Sequence, residues 1–246
     1  DQIEVEISGV IAMLREVYTT FGFNDYRVYL STRPAEKVGS EEIWNKAELA
    51  LELAIKSNGL AYTVNPGDGA FYGPKIDFIV QDALKRDWQL GTIQLDFNLP
   101  ERFGLEYVNQ ENGRSRPVMV HRAILGSLER FMGILIEHYA GAFPMWLAPV
   151  QTRILTINDS HQGYGESILA ALLAAGVRAE GDFANAKIGA KIRDAQLAKI
   201  PYALVIGDRE VADSTVSVRE RTKGDLGSQS LEGFQALIQE RVRDKN

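Results

Sequence analysis

The predicted secondary structure changes its pattern near residue 150, and this change limits the possible folds more than any other feature of the sequence. Upstream, alternating and apolar runs predict strands in close succession at 26–31, 60–64, 75–82, 88–97 and 105–109. Strands that follow one another in this way indicate an antiparallel sheet flanked by helices, which is an α+β arrangement. Downstream, strands and helices alternate, which indicates a small α/β domain with helices on both faces of a mixed sheet.

Pro144 and Pro149 mark the transition between the two patterns. Because proline lacks the backbone donor that a continuing helix needs, the helix that begins after Gly126 is predicted to end at Pro144. We therefore predict two domains, 1–150 and 151–246. In the first domain, one further helix is predicted to end near Gly22 and another to run from the Ser40 N-cap to Gly59. In the second domain, helices are predicted at 163–175, 188–199 and 230–243, and strands at 154–157, 177–180, 202–206 and 216–218.

Composition excludes several classes of protein. The sequence has no cysteine, so it has no disulfide, and a metal ion would need His, carboxylate, water or substrate ligands. No apolar run approaches the roughly 18 residues that span a bilayer, and the start lacks the features of a signal peptide, so we expect a cytoplasmic protein with no membrane partner. The net charge of −6 disfavours indiscriminate nucleic-acid binding, although residues 151–246 are charge-balanced.

The segment 118–132 brings His, Ser and Arg to the point where a strand gives way to a helix. Val118 and Val120 suit a buried strand, and apolar residues recur at helical spacing after Gly126 and Ser127. Arg130 then lies on the first helical turn, where its planar guanidinium could bind phosphate oxygens. The alternative is a surface arginine in an ion pair.

Two other segments carry candidate ligands. The glycine- and proline-rich loop 65–75 permits close approach of the backbone to a ligand and carries Tyr72 and Lys75, although a tight hairpin is an equal alternative. In the following strand Gln89, Thr92 and Gln94 alternate with apolar residues, so they face either solvent or a cleft. His121 is either a packed core histidine or a metal ligand.

Three sequence motifs resemble those of one enzyme family. Gly126-Ser127-Leu128-Glu129-Arg130 followed by an apolar helix resembles motif 3 of the class II aminoacyl-tRNA synthetases. The segments 67–77 and 88–97 narrow this resemblance to the threonyl-tRNA synthetases, and it extends over the whole chain. It implies ATP-dependent activation of L-threonine and its transfer to tRNA(Thr), with Mg²⁺ accompanying ATP.

The resemblance also implies a role for each candidate residue. Arg130 and Lys75 are expected to act in catalysis, Arg130 by holding the ATP phosphates and Lys75 by neutralising a carboxylate or a phosphate. The further expected substrate and ATP ligands are Tyr72, Gln89, Thr92, Gln94 and Ser127. His121 matches one of three zinc ligands in the family, and the other two belong to an upstream region that the chain does not contain. An open zinc position would bind the threonine hydroxyl and so reject valine.

Motifs 1 and 2 of the family are also missing from this sequence, which begins without Met, so we expect a fragment. In the family motif 1 builds a homodimer and the motif 2 arginine grips the α-phosphate. The fragment alone is therefore expected to be impaired or inactive in adenylation. The alternative function is that of a noncatalytic tRNA-binding or regulatory relative, which the retention of Tyr72, Lys75, Gln94, His121 and Arg130 disfavours.

Residues 151–246 resemble the anticodon-binding domain that several class II synthetases share. Asn185, Glu210 and Arg219 fall where the threonyl family reads anticodon bases, and their amide, carboxylate and guanidinium groups suit exposed base edges. The alternative is that they are solvated turn and helix residues. Expected phosphate contacts come from the basic residues Lys187, Lys191, Arg193, Lys199 and Arg221.

Overall fold

The computed structural model describes residues 2–245. The chain divides into two compact units between His138 and Tyr139, and each unit is described on its own. The predicted boundary near residue 150 lies within the second unit. In the described residues, none of the helices combines the length and the apolar character that crossing a membrane requires.

The first unit is built on a five-stranded sheet with the order β2-β1-β3-β4-β7. Its elements are α1 (Ile3–Thr20), β1 (Tyr26–Ser31), α2 (Glu41–Ser57), β2 (Thr63–Asn65), β3 (Lys75–Gln81), β4 (Asp87–Asp96), α3 (Asn98–Arg102), β5 (Tyr107–Val108), β6 (Arg114–Ser115), β7 (Met119–Ala123) and α4 (Leu128–His138). The neighbouring strands of the large sheet are antiparallel except β1 and β2, which are parallel. This confirms the predicted α+β class with one exception in strand direction.

The helices of the first unit form where the sequence predicts them, with differences at their ends. Ser40 caps α2, since its hydroxyl accepts the Ile43 backbone N–H at 3.3 Å. α1 buries Ile11, Leu14 and Tyr18 at helical spacing. α4 ends at His138, before the predicted end at Pro144, because Ala140 and Gly141 adopt positive φ angles that a right-handed helix cannot contain.

Two predicted strands of the first unit differ from the observed ones. The strand predicted at 60–64 begins at Thr63, and β5 is only two residues long and pairs with β6 in a separate hairpin. The helix α3, which follows the end of β4, was not predicted. Its first residues are held by Asp96 Oδ1, which accepts the backbone N–H groups of Asn98 and Leu99.

The second unit has a mixed five-stranded sheet with the order β12-β11-β10-β8-β9. Its elements are β8 (Thr152–Thr156), a 3₁₀ turn (Asp159–His161), α5 (Gln162–Ala174), β9 (Ala179–Asp182), α6 (Ile188–Leu197), β10 (Tyr202–Ile206), α7 (Asp208–Asp213), β11 (Val216–Glu220), β12 (Gly224–Gln229) and α8 (Leu231–Arg243). β8, β9 and β10 are parallel, and β11 and β12 run antiparallel to their neighbours. The predicted small α/β domain is confirmed, although α7 and β12 were not predicted.

Helices cover both faces of this second sheet. α5 and α8 contribute Leu172 and Phe234 to a core that includes Leu204 and Val218. α6 packs on the opposite face through Ala195, which contacts Leu155 and Ala203. The side chain of Arg219 lies on this second face, because it alternates along β11 with the buried Val218.

Candidate functional site

Polar side chains form a row across three adjacent strands of the first unit. Lys75 of β3 lies opposite Gln94 of β4, and Gln94 lies opposite His121 of β7. Directly opposite residues in antiparallel strands project from the same face of a sheet. The structure therefore brings together three of the residues that the sequence analysis named.

Tyr72 closes one end of this row against Gln94 and His121. The Tyr72 hydroxyl donates to Gln94 Oε1 at 2.9 Å, and the Gln94 amide donates to the Gly73 carbonyl oxygen at 3.2 Å. The rings of Tyr72 and His121 meet edge to face, with their centroids 5.7 Å apart. These contacts fix the Gln94 amide orientation, and they hold Tyr72 beside the imidazole.

His121 is anchored by a buried carboxylate. Its Nε2 lies 2.9 Å from Oδ2 of Asp96, whose side chain is fully buried. A carboxylate at one ring nitrogen of a histidine favours N–H at that position and leaves the other nitrogen as an acceptor. In the neutral tautomer that this contact favours, Nδ1 carries the lone pair.

Lys75 is not a free cation in this structure. Its Nζ lies 2.9 Å from Asp77 Oδ2 and 3.3 Å from Asp68 Oδ2. Burial acts to lower the pKa of Lys75, but the hydrogen bonds and negative charges of Asp77 and Asp68 outweigh it and raise that pKa. An anionic ligand would have to compete with Asp68, whose side chain is half exposed.

Gln89 and Thr92 point to the same face of β4, although residues three apart in a regular strand would point to opposite faces. A bulge is responsible, because the register shifts so that Phe78 pairs with Gly91 and Ile79 pairs with Gln89. The Gln89 amide consequently donates to Thr92 Oγ1 at 2.8 Å. Both side chains also donate to Asp77 Oδ1, at 2.5 Å from Gln89 and 2.9 Å from Thr92.

Arg130 presents an uncompensated positive charge on the first turn of α4. Its Cζ lies 5.3 Å from the centroid of the Trp88 ring, which is a cation–π contact. Within residues 2–245 no carboxylate lies at ion-pair distance from Arg130. Ser127 caps this helix by accepting the Arg130 backbone N–H at 3.2 Å. The Arg130 guanidinium therefore keeps its fork of donors available for an anion.

Asp82 holds the Trp88 ring beneath Arg130. The Trp88 Nε1–H donates to Asp82 Oδ2 at 2.8 Å, and the Arg86 backbone and guanidinium donate to the same carboxylate. Burial acts to raise the pKa of Asp82, but these donors prevail and lower it to about 2. Asp82 is therefore ionised at neutral pH and restrains Trp88.

This depressed pKa predicts an acid-dependent loss of stability in the first unit. The ordinary pKa of 3.8 exceeds the folded value, so the unfolded chain binds the proton first as the pH falls. The contribution of Asp82 is complete above pH 3.8 and declines as the pH falls toward about 2. Urea unfolding followed by tryptophan fluorescence should show a steeper decline for the native chain than for Asp82→Asn across this window. Equal slopes would contradict the prediction.

The described residues do not form a complete metal site. In the part of the chain from residue 2 to 245, no three His, Cys, Asp or Glu side chains lie where they could share a metal ion. A zinc ion needs at least three protein ligands in catalytic sites, and within residues 2–245 His121 and its partner Asp96 are not joined by a third such side chain. Residues 2–245 alone thus do not fit the zinc ion that the resemblance implies.

The three residues expected to contact anticodon bases occupy separate elements of the second unit. Asn185 is exposed in the turn between β9 and α6. Glu210 of α7 accepts the Gly207 backbone N–H at 3.0 Å and the Ser228 hydroxyl at 3.2 Å. Arg219 of β11 pairs with Asp225 at 3.2 Å. Asn185 is therefore the most accessible of the three, whereas Glu210 and Arg219 have intramolecular partners.

Two of the expected phosphate contacts have structural partners instead. Lys191 is buried, and its Nζ donates to the carbonyl oxygens of Thr156 and Asp182 at 2.9 and 3.0 Å. The expectation that Lys191 contacts phosphate is therefore wrong for this structure, because helical spacing directs the side chain inward. Arg221 donates to the carbonyl oxygens of Lys199, Ala142 and Phe143, so its guanidinium is largely satisfied.

Family models match both parts of the chain. Residues 1–139 match the class II tRNA synthetase core domain of the G, H, P, S and T type, and residues 151–241 match an anticodon-binding domain. The chain belongs to the class II tRNA synthetase family. Within that family its similarity is to threonine–tRNA ligases, as its individual relatives indicate.

The relatives are similar over the whole of this chain but are much longer. The chain is 55% identical to the threonine–tRNA ligase of Syntrophomonas wolfei over 245 residues and 54% identical to that of Acetivibrio thermocellus, and it spans 38% of each. A crystal structure described as the RNA-binding domain of threonyl-tRNA synthetase from Cryptosporidium parvum superimposes with a TM-score of 0.93 at 42% identity. That match covers 98% of this chain and 60% of the other.

The sequence analysis did not select the residues that hold the candidate ligands in position. Asp77, Asp82, Trp88 and Asp96 each contact at least one candidate ligand or its support, yet none was selected as a site residue. Asp77 and Asp96 could have been noticed as acidic residues within otherwise apolar strands, because a buried carboxylate needs partners. The partners themselves depend on strand register, which the sequence does not specify.

Proposed function

We propose that this chain is part of a threonine–tRNA ligase, with residues 1–150 in its catalytic part and residues 151–246 in anticodon recognition. The observation that carries this proposal is the unpaired Arg130 guanidinium on Trp88, at the helix start next to the β7 strand that bears His121. Similarity to threonine–tRNA ligases over the whole chain supports threonine as the amino acid.

In the proposed reaction a carboxylate oxygen of L-threonine attacks the α-phosphorus of ATP, and pyrophosphate leaves. The 2′- or 3′-hydroxyl of the terminal tRNA ribose then attacks the carbonyl carbon of the adenylate, and AMP leaves. Arg130 would bind phosphate oxygens through its fork of donors, with Mg²⁺ neutralising the rest of the triphosphate. Catalysis would then arise from orientation and charge stabilisation.

The other named residues would bind and orient the substrates. Lys75, Gln89, Thr92 and Ser127 are proposed for the nucleotide side of the site, and Tyr72 and Gln94 for the amino acid or the tRNA terminus. The hydrogen bonds among these side chains support such a role because they hold the polar groups in fixed positions. His121 as a single zinc ligand belongs to the same proposal, with its other ligands outside residues 2–245.

The proposal also covers the complete protein. Threonine–tRNA ligase activity implies L-threonine, ATP and tRNA(Thr) as partners, and we propose a cytoplasmic homodimer. The 246-residue chain spans 38% of the length of the threonine–tRNA ligase of Syntrophomonas wolfei. We therefore expect it to be impaired in adenylation when it is expressed alone.

The test is amino-acid-dependent ATP–pyrophosphate exchange by the longest natural chain that contains these 246 residues. Threonine should support exchange, and valine should be rejected by a factor on the order of 10⁴, since a site that bonds a hydroxyl strongly disfavours its absence. Serine serves as a second comparison because it retains the hydroxyl. Absence of threonine-dependent exchange, together with retained tRNA(Thr) binding, would support a noncatalytic tRNA-binding relative instead.

The proposed anticodon surface is tested separately on the 246-residue chain. Asn185→Ala should weaken binding of the tRNA(Thr) anticodon stem-loop about tenfold, because a lost base contact costs roughly 1–3 kcal/mol. Gln239→Ala is the matched control, since this exposed amide lies on α8, on the face of the sheet opposite α6. Fluorescence anisotropy at a fixed salt concentration would measure both affinities, and equal affinities would argue against a base contact at Asn185.

A further inference from the structure

We propose that Asp77 is the positioning residue that fixes Lys75, Gln89 and Thr92 as one rigid unit of the substrate site. The inference rests on the proposed function, and it concerns a residue that has no assigned role. Asp77 lies in the middle of the sheet on β3 and is only 3% exposed. Its carboxylate is the common acceptor of the three named side chains.

Four side chains donate to Asp77, and each of its two carboxylate oxygens accepts from two of them. Oδ1 accepts from the Gln89 amide at 2.5 Å and from the Thr92 hydroxyl at 2.9 Å. Oδ2 accepts from the Ser31 hydroxyl and from Lys75 Nζ, both at 2.9 Å. Hydrogen bonds to an ionised acceptor are stronger than neutral ones, so this single carboxylate restrains side chains from two neighbouring strands.

The sheet supplies the rigidity that a positioning role requires. Asp77 pairs directly with Thr92 and also with Tyr29 of β1, so its strand is paired on both sides. The bulge in β4 then turns Gln89 toward the same carboxylate. A buried carboxylate needs donors from the protein in place of water, and these side chains supply them.

Asp68 and Ser31 provide matched controls for the positioning role of Asp77. Asp68 contacts the same Lys75 ammonium, but it is half exposed on a loop, and its bonds go to Lys75 and Ser31 instead of Gln89 or Thr92. Ser31 contacts the same Asp77 oxygen as Lys75, but it is no candidate ligand and joins β1 to β3. Asp68→Asn therefore reports on the charge near Lys75, and Ser31→Ala reports on the structural use of Asp77.

The experiment compares Asp77→Asn with Asp68→Asn and Ser31→Ala in the longest natural chain that contains this sequence. Steady-state ATP–pyrophosphate exchange would give kcat and KM for ATP and threonine per folded protein, with thermal unfolding measured in parallel. We expect Asp77→Asn to lower kcat/KM for ATP on the order of 10²-fold, because misplaced site groups lose their orientation. Ser31→Ala should remain within about threefold of the native protein, Asp68→Asn should change kcat/KM for ATP less than Asp77→Asn because it leaves the contacts to Gln89 and Thr92 in place, and Asp77→Glu should recover part of the loss.

A second readout does not depend on catalysis. Acetylation of Lys75 by a limiting amount of acetylating reagent, followed by mass spectrometry, should be faster in Asp77→Asn than in the native protein or Ser31→Ala, because the ammonium loses its buried partner. A native protein without threonine-dependent exchange would remove the proposed function, and the acetylation rates would still decide whether Asp77 restrains Lys75. Equal kinetics in Asp77→Asn and Ser31→Ala, or unchanged Lys75 acetylation in Asp77→Asn, would overturn the proposal.

Discussion

Replacement of Arg130 by alanine should reduce threonine-dependent ATP–pyrophosphate exchange by about 10²–10³-fold in the protein that carries this site. Preorganised donors aimed at a developing charge contribute about that much to rate enhancement. Arg130 qualifies because its guanidinium is held over Trp88 and has no carboxylate partner within residues 2–245. Arg130→Lys should remain strongly impaired, since an ammonium cannot reproduce bidentate binding of phosphate oxygens.

Stability measurements separate this effect from a folding defect. Because Arg130 is exposed and makes no ion pair in the described residues, its removal costs the cation–π contact with Trp88 and should change the free energy of unfolding by no more than about 1 kcal/mol. Arg122→Ala is the matched control: Arg122 lies on β7 next to His121, and its guanidinium contacts Met13 of α1 instead of the polar row. Exchange by Arg130→Ala within threefold of the native rate would remove Arg130 from the proposed ATP site.

Local sequence patterns were sufficient to predict the helices and strands that residues close together in the chain stabilise. β1 was predicted at 26–31 and β10 at 202–206, and both form with those bounds, because alternating or apolar runs match the two faces of a strand. α2 begins after Ser40 because the hydroxyl satisfies a free backbone N–H of the first turn. These features depend on residues a few positions apart.

Elements that depend on distant partners were missed. β12 has the sequence Gly-Asp-Leu-Gly-Ser-Gln, which contains no β-branched or aromatic residue, and it forms a strand by pairing with β11. The parallel pairing of β2 with β1 likewise requires a crossover through α2 that the succession of strands does not specify. In both cases tertiary pairing outweighs local propensity.

The same distinction applies to the candidate site. The sequence analysis named Lys75, Gln94 and His121 as candidate ligands, and strand register brings them into one row. The sequence analysis also expected Lys75 to act in catalysis, but it did not predict that Asp68 and Asp77 both contact the Lys75 ammonium. Such pairing depends on the loop conformation and on register across β3 and β4, so composition and spacing could not reveal it.

Replacement of Gly73 by alanine should strongly destabilise the first unit. A Cβ atom on Gly73 would lie 1.7 Å from the Leu95 carbonyl oxygen, which is backbone and cannot rotate away. The loop and β4 would have to separate, and this would strain the bond between the Leu95 N–H and the Pro74 carbonyl oxygen at 3.2 Å. Overpacking typically costs about 1–3 kcal/mol in free energy of unfolding, and the contact with backbone puts Gly73→Ala at the upper end of that range, at about 3 kcal/mol.

Gly9→Ala provides a matched glycine replacement with the opposite expected sign. Gly9 lies on the exposed side of α1, and a Cβ atom there would meet nothing within 4 Å. Alanine should therefore stabilise the helix by up to about 1 kcal/mol. Urea unfolding of both variants would give the two free energies, and a Gly73→Ala value within about 1 kcal/mol of native would show that the loop can move away.

The Gly73 prediction also connects stability to the site. The Gly73 carbonyl oxygen accepts the Gln94 amide, and Gln94 in turn accepts the Tyr72 hydroxyl. A displaced loop would release both side chains even in the molecules that remain folded. Gly73→Ala should therefore lose threonine-dependent exchange per folded molecule as well as stability, whereas Gly9→Ala should keep native exchange, because close packing of loop against strand is what holds Tyr72 and Gln94 beside His121.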